Sequence, residues 1–350
     1  MRKLTGIILI VIFIITACGK KQKIEKLGDI EIHRKVKFSQ KMIPMSLLKI
    51  GKNYVAYDGY NDQIALFDKS GNIFFTYKKY GKGPGEYVKE EDLFLLGEVN
   101  NKLYVLAYAQ NKVLIFDIIN NSKLEFIDEL RIDSGNVIVG GISPEKKMIL
   151  NVINNEYLFH LYSLDGDYEM GLIKRKQIDL EQLSAEEMKK YLVKNIFIPT
   201  FKGRNMILIG AFNKHIKFYV KNDNDNRYKL IKDVIIHQYK EKSYNSETNQ
   251  NKNDRRVVLS NIGLAGQGIL ENNYYLAISP ENEAVSYINK YKFDGTLIGA
   301  YEIENKTTER INNLFIFNKD EILYTKQLRN NKNEEYKQEL DYFYISKITG

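Results

Sequence analysis

One phrase recurs six times along this chain, and repetition at that interval narrows the folds open to it. An apolar burst, a turn, a second apolar burst and a further turn, often Asp-Gly, follow one another. Tyr54–Tyr57 with Ile64–Phe67 is the first copy and Leu103–Tyr108 with Lys112–Phe116 the second. Met148–Val152 with Leu158–Tyr162 and Met206–Gly210 with His215–Tyr219 follow. Tyr274–Ile278 with Tyr287–Phe293 and Glu321–Tyr324 with Tyr342–Ile345 complete the series. The ends of the second bursts, Phe67, Phe116, Tyr162, Phe218, Phe293 and Phe343, lie 49, 46, 56, 75 and 50 residues apart. The bursts are rich in β-branched and aromatic residues and each break carries turn chemistry, so they predict strands. Several are apolar on both faces, as in strands packed between two layers.

A multi-strand unit repeated every ~40–50 residues is the mark of a β-propeller blade. The expectation is an all-β, six-bladed β-propeller over residues 30–350. A seventh blade could sit in the 75-residue gap, and a two-layer β-sandwich is the alternative that would not need the phrase six times. Asp29–Phe38 alternates like a strand upstream of the first blade and is placed to complete the last one. The extra length falls in two stretches. Asp179–Lys194 predicts one inserted helix near 180–194, with a capping box at Ser184 and Glu187 and an apolar stripe of Leu180, Leu183, Met188, Tyr191 and Leu192. Lys240–Arg256 is almost free of apolar residues and predicts a loop.

The start of the chain carries a second signal. Met1-Arg2-Lys3 precedes a mostly apolar run from Leu4 to Ala17, which is 14 residues long. A bilayer span needs ~20, so the pattern is that of an export signal over 1–17. The only Cys follows at once, in Ile15-Thr16-Ala17-Cys18-Gly19. This is similar to the lipobox of bacterial lipoproteins, in which the Cys is acylated and becomes the mature N-terminus. Ile15 stands where Leu is commoner. The resemblance implies lipidation at Cys18, a tether over 18–29 and a membrane partner reached through acyl chains. In lipoproteins of Bacteroidetes-like bacteria an acidic run after the Cys goes with surface display. The basic run Lys20-Lys21-Gln22-Lys23 therefore points to an outer-membrane protein facing the periplasm.

Charge and composition exclude several classes. The chain has 52 Lys+Arg against 44 Asp+Glu, a formal +8. Those charges are scattered, which suits solubility and not nucleic-acid binding. A single Cys leaves no disulfide framework and no Cys-cluster metal site.

Tyr80-Gly81-Lys82-Gly83-Pro84-Gly85-Glu86-Tyr87 is the most specific local motif. Three Gly and a Pro in five residues force a tight backbone path, and no Lys-Ser/Thr ending makes it a phosphate loop. Together with Phe67-Asp68-Lys69-Ser70-Gly71 upstream, it resembles the G-x-G-P-G-E-[FY] phrase of six-bladed β-propeller lipoproteins of Bacteroidetes, relatives of the NHL-repeat propellers. The resemblance implies fold and location and supplies no catalytic residue. Gly81, Gly83, Pro84, Gly85, Glu86 and Tyr87 are thus candidates for a structural or contact role.

Chemistry is thin elsewhere. His33, His160, His215 and His237 have no metal-binding spacing; His160 and His215 lie in second strands of neighbouring units and read as structural or channel-lining. There is no G-x-S-x-G elbow. Asp223 and Asp225, in Asp223-Asn224-Asp225-Asn226, place oxygen ligands at alternate positions and are a weak calcium candidate; a hairpin turn accounts for them as well. No cofactor is expected. Two functions stay open: a membrane-tethered, extracytoplasmic binding or scaffold module for a peptide, glycan or partner protein, and a propeller lyase or hydrolase acting on a polysaccharide or peptide at the channel mouth.

Overall fold

The computed structural model describes residues 24–89, 93–133, 135–153, 156–174, 197–210, 215–222, 227–236, 264–279, 285–304, 309–329 and 336–349. The signal over 1–17, Cys18, the inserted helix near 180–194, the loop over 240–256, His237, Asp223 and Asp225 lie outside them.

The described residues are organised as blades around a ring. Blade one is β2 (Pro44–Ile50), β3 (Asn53–Asp58), β4 (Gln63–Phe67) and β5 (Ile73–Tyr77). Blade two is β6 (Leu93–Val99), β7 (Lys102–Ala107), β8 (Lys112–Ile119) and β9 (Lys123–Arg131). Blade three is β10 (Asn136–Ile142), β11 (Met148–Ile153), β12 (Phe159–Tyr162) and β13 (Tyr168–Gly171). Blade four is β14 (Phe197–Lys202), β15 (Asn205–Gly210), β16 (His215–Lys221) and β17 (Tyr228–Ile235). Blade five is β18 (Leu264–Leu270), β19 (Asn273–Ile278), β20 (Val285–Lys292) and β21 (Leu297–Glu304). Each is an antiparallel run in chain order.

Blade six is built from both ends of the chain. It takes β22 (Glu309–Asn318), β23 (Glu321–Arg329), the short β24 (Tyr336–Gln338) and β25 (Tyr342–Thr349) from the C-terminus, and β1 (Lys26–Lys37) from the N-terminus. β1 pairs antiparallel with β25 from Asp29↔Thr349 to Lys37↔Tyr342. The alternation read over 29–38 is therefore a closing strand. It begins at Lys26, inside the stretch expected to be tether, because Lys26–Asp29 also lie parallel to β21. There Lys26 ion-pairs with Asp29 and Glu302 at 2.8 and 2.9 Å.

Six apolar clusters fill the spaces between neighbouring blades, one for each junction. Val55 and Leu66 of blade one meet Leu103 and Leu114 of blade two, for example. Phe67 of blade one meets Phe343 of blade six at the other side of the ring. The innermost strands touch in the order β2, β6, β10, β14, β18, β22 and back to β2. Among the described residues that circuit closes at six. The apolar runs legible in the sequence are the second and third strands of each blade. β3 and β4 are buried along almost their whole length because a neighbouring blade covers each face.

The closure also carries an ionic bolt. Glu321, at the start of β23, is 5 % exposed and lies against blade one. Lys49 and Lys69 reach it at 2.6 and 3.0 Å, and the buried Tyr54 hydroxyl donates to it. Burial works to raise the Glu321 carboxyl, but these donors outweigh it and hold it down to about 2. A depressed carboxylate stabilises the fold above its unfolded value near 4.5 and loses that contribution as pH falls towards 2. Glu321→Gln should cost about 2 kcal/mol at pH 6, since the two lysines stay partly solvated. Urea midpoints of the two proteins should differ at pH 6 and converge as pH falls from about 4.5 towards 2. A constant difference across that range would remove the bolt from the ring's stability.

Candidate functional site

The two faces of the ring differ in their connections. The innermost strands begin at what we call the upper face. Turns on the lower face are short: 51–52, 100–101, 143–147, 203–204, 271–272 and 319–320. Every connection longer than six residues (78–92, 172–196 and 236–263) leaves the upper face. Loops on a rigid scaffold are where binding residues concentrate, so the upper face is the place to look for a site.

The glycine motif lies on this face, between β5 and β6. Its backbone folds back on itself: the Gly81 N–H donates to the Tyr87 carbonyl and the Tyr87 N–H to the Lys79 carbonyl, both at 3.0 Å. The Glu86 carboxylate accepts from the Gly83 N–H at 2.9 Å. Tyr80 and Tyr87 meet edge to face at 5.4 Å, and their hydroxyls donate to the Asp62 carbonyl at 3.2 and 2.8 Å. Burial, then the nearby Asp62, pushes the Tyr87 hydroxyl far above its ordinary value, so it serves as a donor.

Blade two holds the other side of the loop. Lys112 is buried and donates to both the Gly83 carbonyl at 3.1 Å and the Glu129 carboxylate at 2.9 Å. Glu129 in turn accepts from the Gly85 N–H at 3.1 Å. The Gln110 amide donates to the Gly81 carbonyl at 2.7 Å, and the Tyr77 hydroxyl to the Gly85 carbonyl at 2.7 Å. Burial, with Glu86 and Glu129 adding to it, pushes the Tyr77 hydroxyl up to about 12. The geometry uses these motif groups to staple blade one to blade two.

Gly85 shows why the motif needs its glycines. Its φ is +74°, and a Cβ there would stand 2.9 Å from the Tyr77 hydroxyl and 3.0 Å from the Phe126 ring. Left-handed backbone alone costs a side chain about 1–2 kcal/mol. Gly85→Ala should therefore lower stability by roughly 2–4 kcal/mol once the crowding is added. Thermal melting checks this, and an unchanged midpoint would mean that the loop can re-route around the methyl group.

The motif also buttresses a concavity of about 420 Å³, lined by Gln110, Asn111, Arg131, Ile132, Asp133, Gly135 and Asn136. It sits between the β7–β8 turn and the β9–β10 connection. The turn is a short 3-10 helix, Tyr108–Gln110, ended by Asn111 in the left-handed region at φ 49°. Asn111 is anchored from several directions. Its carbonyl accepts from the Ile132 N–H at 2.8 Å, its side-chain oxygen from the Val137 N–H at 3.1 Å, and its amide donates to the Asn136 side chain at 3.5 Å. Ile132 is 3 % exposed and supplies the apolar floor. Neither Arg131 nor Asp133 has a side-chain partner among the described residues.

These residues were not singled out in the sequence. Two signals were available: Asn111 closing a turn between strands, and the turn-forming cluster Asp133-Ser134-Gly135-Asn136 that precedes the next blade. Among the described residues the candidate histidines His33, His160 and His215 do not form a cluster. His33 is exposed on β1. His160 is 2 % exposed in β12, with its ring 6.2 Å from Tyr162 and 5.2 Å from Tyr168. His215 opens β16 in the next blade and contacts Asp233 at 2.7 Å. Among the described residues no group of three or more His, Cys, Asp or Glu is placed to hold a metal ion.

Ring, blade count and motif together define a six-bladed β-propeller. Residues 42–291 match the family DUF5128, described as a 6-bladed beta-propeller, and the chain belongs to that family. Among solved structures, a Bacteroides fragilis protein described as exported is similar at TM-score 0.55 and 15% identity, covering 92% of this chain and 96% of its own. A DUF4221 member from Bacteroides vulgatus is similar at TM-score 0.52 and 10% identity, covering 92% and 98%. Regucalcin from Agrobacterium tumefaciens, a calcium-binding protein, is similar at TM-score 0.52 and 10% identity, covering 93% and 97%. At these identities the likeness is one of fold. No curated protein matches the chain.

Proposed function

We propose that this propeller is an extracytoplasmic lipoprotein, tethered to the membrane through Cys18, that works as a binding or scaffold module. The site on its upper face would take a glycan, peptide or partner protein. The observation that carries binding is the make-up of the 420 Å³ concavity. Its volume is that of a small-ligand pocket, and its lining offers carboxamides on an anchored turn with a guanidinium and one carboxylate beside them. Such groups recognise by hydrogen bonding.

The tether is supported by the lipobox-like start and by β1, which begins eight residues after Cys18. With Cys18→Ala the protein should leave the membrane fraction and remain folded. Persistence in the membrane would sink the lipoprotein reading. For the binding role, the protein should show saturable, unaltered ligand uptake in screens against glycans and peptides. Release of reducing ends or cleaved peptide would replace it with the hydrolase or lyase alternative.

A further inference from the structure

We infer that the concavity between blades two and three is a subsite for a carboxylated sugar, a uronate, with Arg131 facing the carboxylate and Asp133 and Asn136 facing hydroxyls. This rests on the binding-module reading of the same face and names its ligand class.

The inference follows from which hydrogen-bonding groups are already used. Gln110 gives one amide N–H to the Gly81 carbonyl. Asn111 has its oxygen filled by the Val137 N–H and its nitrogen directed to the Asn136 oxygen. That leaves the Asn136 amide nitrogen with both hydrogens to donate. The Arg131 guanidinium and the Asp133 carboxylate keep their full capacity, with no partner among the described residues. They are two residues apart in sequence and line one concavity, yet they form no ion pair with each other.

An unspent guanidinium fits a carboxylate through two parallel hydrogen bonds. An unspent carboxylate is acceptor-only and fits hydroxyl donors. A ligand that satisfies both therefore carries a carboxylate and hydroxyl groups together. Peptide recognition would ask for side-chain pockets or a sheet edge to extend. Here the only large apolar residue in the lining is Ile132, and it is buried. The lining suits a polyhydroxylated acid and gives a peptide little to bury.

The test is titration calorimetry on the full-length protein in detergent, with an oligogalacturonate and the corresponding neutral galactose oligomer as probes. The oligogalacturonate should bind at least about tenfold more tightly, and its affinity should weaken as salt rises. Arg131→Gln should remove that preference, with a tenfold to hundredfold loss for the uronate and little change for the neutral sugar. Asp133→Asn should weaken both probes alike. All these side chains are on the surface, so an unchanged melting curve separates lost contacts from lost folding. Equal affinity for the two probes, no binding of the uronate, or indifference to Arg131→Gln would each overturn the uronate subsite. If peptides bind in its place, the binding-module reading survives that failure. If the probe is depolymerised, both fall together.

Discussion

Removing residues before Phe38 should abolish cooperative folding, whereas a chain starting at Ile24 should melt in one transition. The first cut deletes β1 and with it the paired ladder from Asp29↔Thr349 to Lys37↔Tyr342. It also strips Ile30 and Val36 from the clusters that seal blade six against its neighbours. Each lost ladder bond is worth about 1 kcal/mol net and each lost core side chain about 1.5–3. The total approaches the roughly 5–15 kcal/mol that holds a domain folded. The cut would also leave β25 as a long unpaired edge, a template for aggregation. Denaturant unfolding of the two chains checks this. A synthetic Ile24–Phe38 peptide, added in trans, should restore part of the lost stability by re-forming the missing strand. A Phe38-start chain that melts within a few degrees of the longer one would show that the ring does not need its N-terminal strand.

That strand was legible in the sequence because apolar Ile30, Ile32 and Val36 stand among polar residues, although only Ile30 and Val36 are buried. The second and third strands of each blade were legible for another reason. Both of their faces are covered, which leaves runs such as Val55-Ala56-Tyr57 and Ile64-Ala65-Leu66-Phe67 without polar interruption. The first strands escaped notice because they line the ring's centre, where neither pattern holds. Asn136–Ile142 and Leu264–Leu270 mix Gly with apolar and amide residues. The close approach of neighbouring inner strands explains the glycines: a Cβ on Gly266 would sit 1.8 Å from the Leu314 carbonyl oxygen. The glycine motif announced its own tight path through Gly and Pro. Its partners Lys112 and Glu129 did not, since nothing local marks two residues from another blade as a clamp. The concavity was hidden for the same reason. Arg131 and Gln110 are 21 residues apart and meet only after blade two has folded. Blade five has all four strands.

Asp58→Ala should be the most damaging single substitution on the upper face, and Asp58→Asn much less so. Asp58 is fully buried at the end of β3. One of its oxygens accepts from the Ile43, Tyr60 and Asn61 backbone N–H groups at 3.0, 3.0 and 3.3 Å. The other accepts from the Asn61 and Gln63 side-chain amides at 2.7 and 3.1 Å. Five donors thus converge on one carboxylate, with no lysine or arginine among them. Alanine strands all five, and a buried donor left unpaired costs about 1–3 kcal/mol. Even with water reaching some of them, the loss should be at least about 4 kcal/mol. Asparagine keeps one oxygen for the three backbone donors and turns only its amide towards Asn61 and Gln63. Its cost should stay near 1–3 kcal/mol. The Ile43 contact ties the β3–β4 turn to the segment entering β2, so alanine should also loosen the junction where the chain passes from the closing strand into blade one. Hydrogen exchange at Ile43, Tyr60 and Asn61 reads this directly: strong protection in the native protein and in Asp58→Asn, and fast exchange in Asp58→Ala. Equal stability of the two variants would mean that the turn is held by its backbone path and that the carboxylate is incidental.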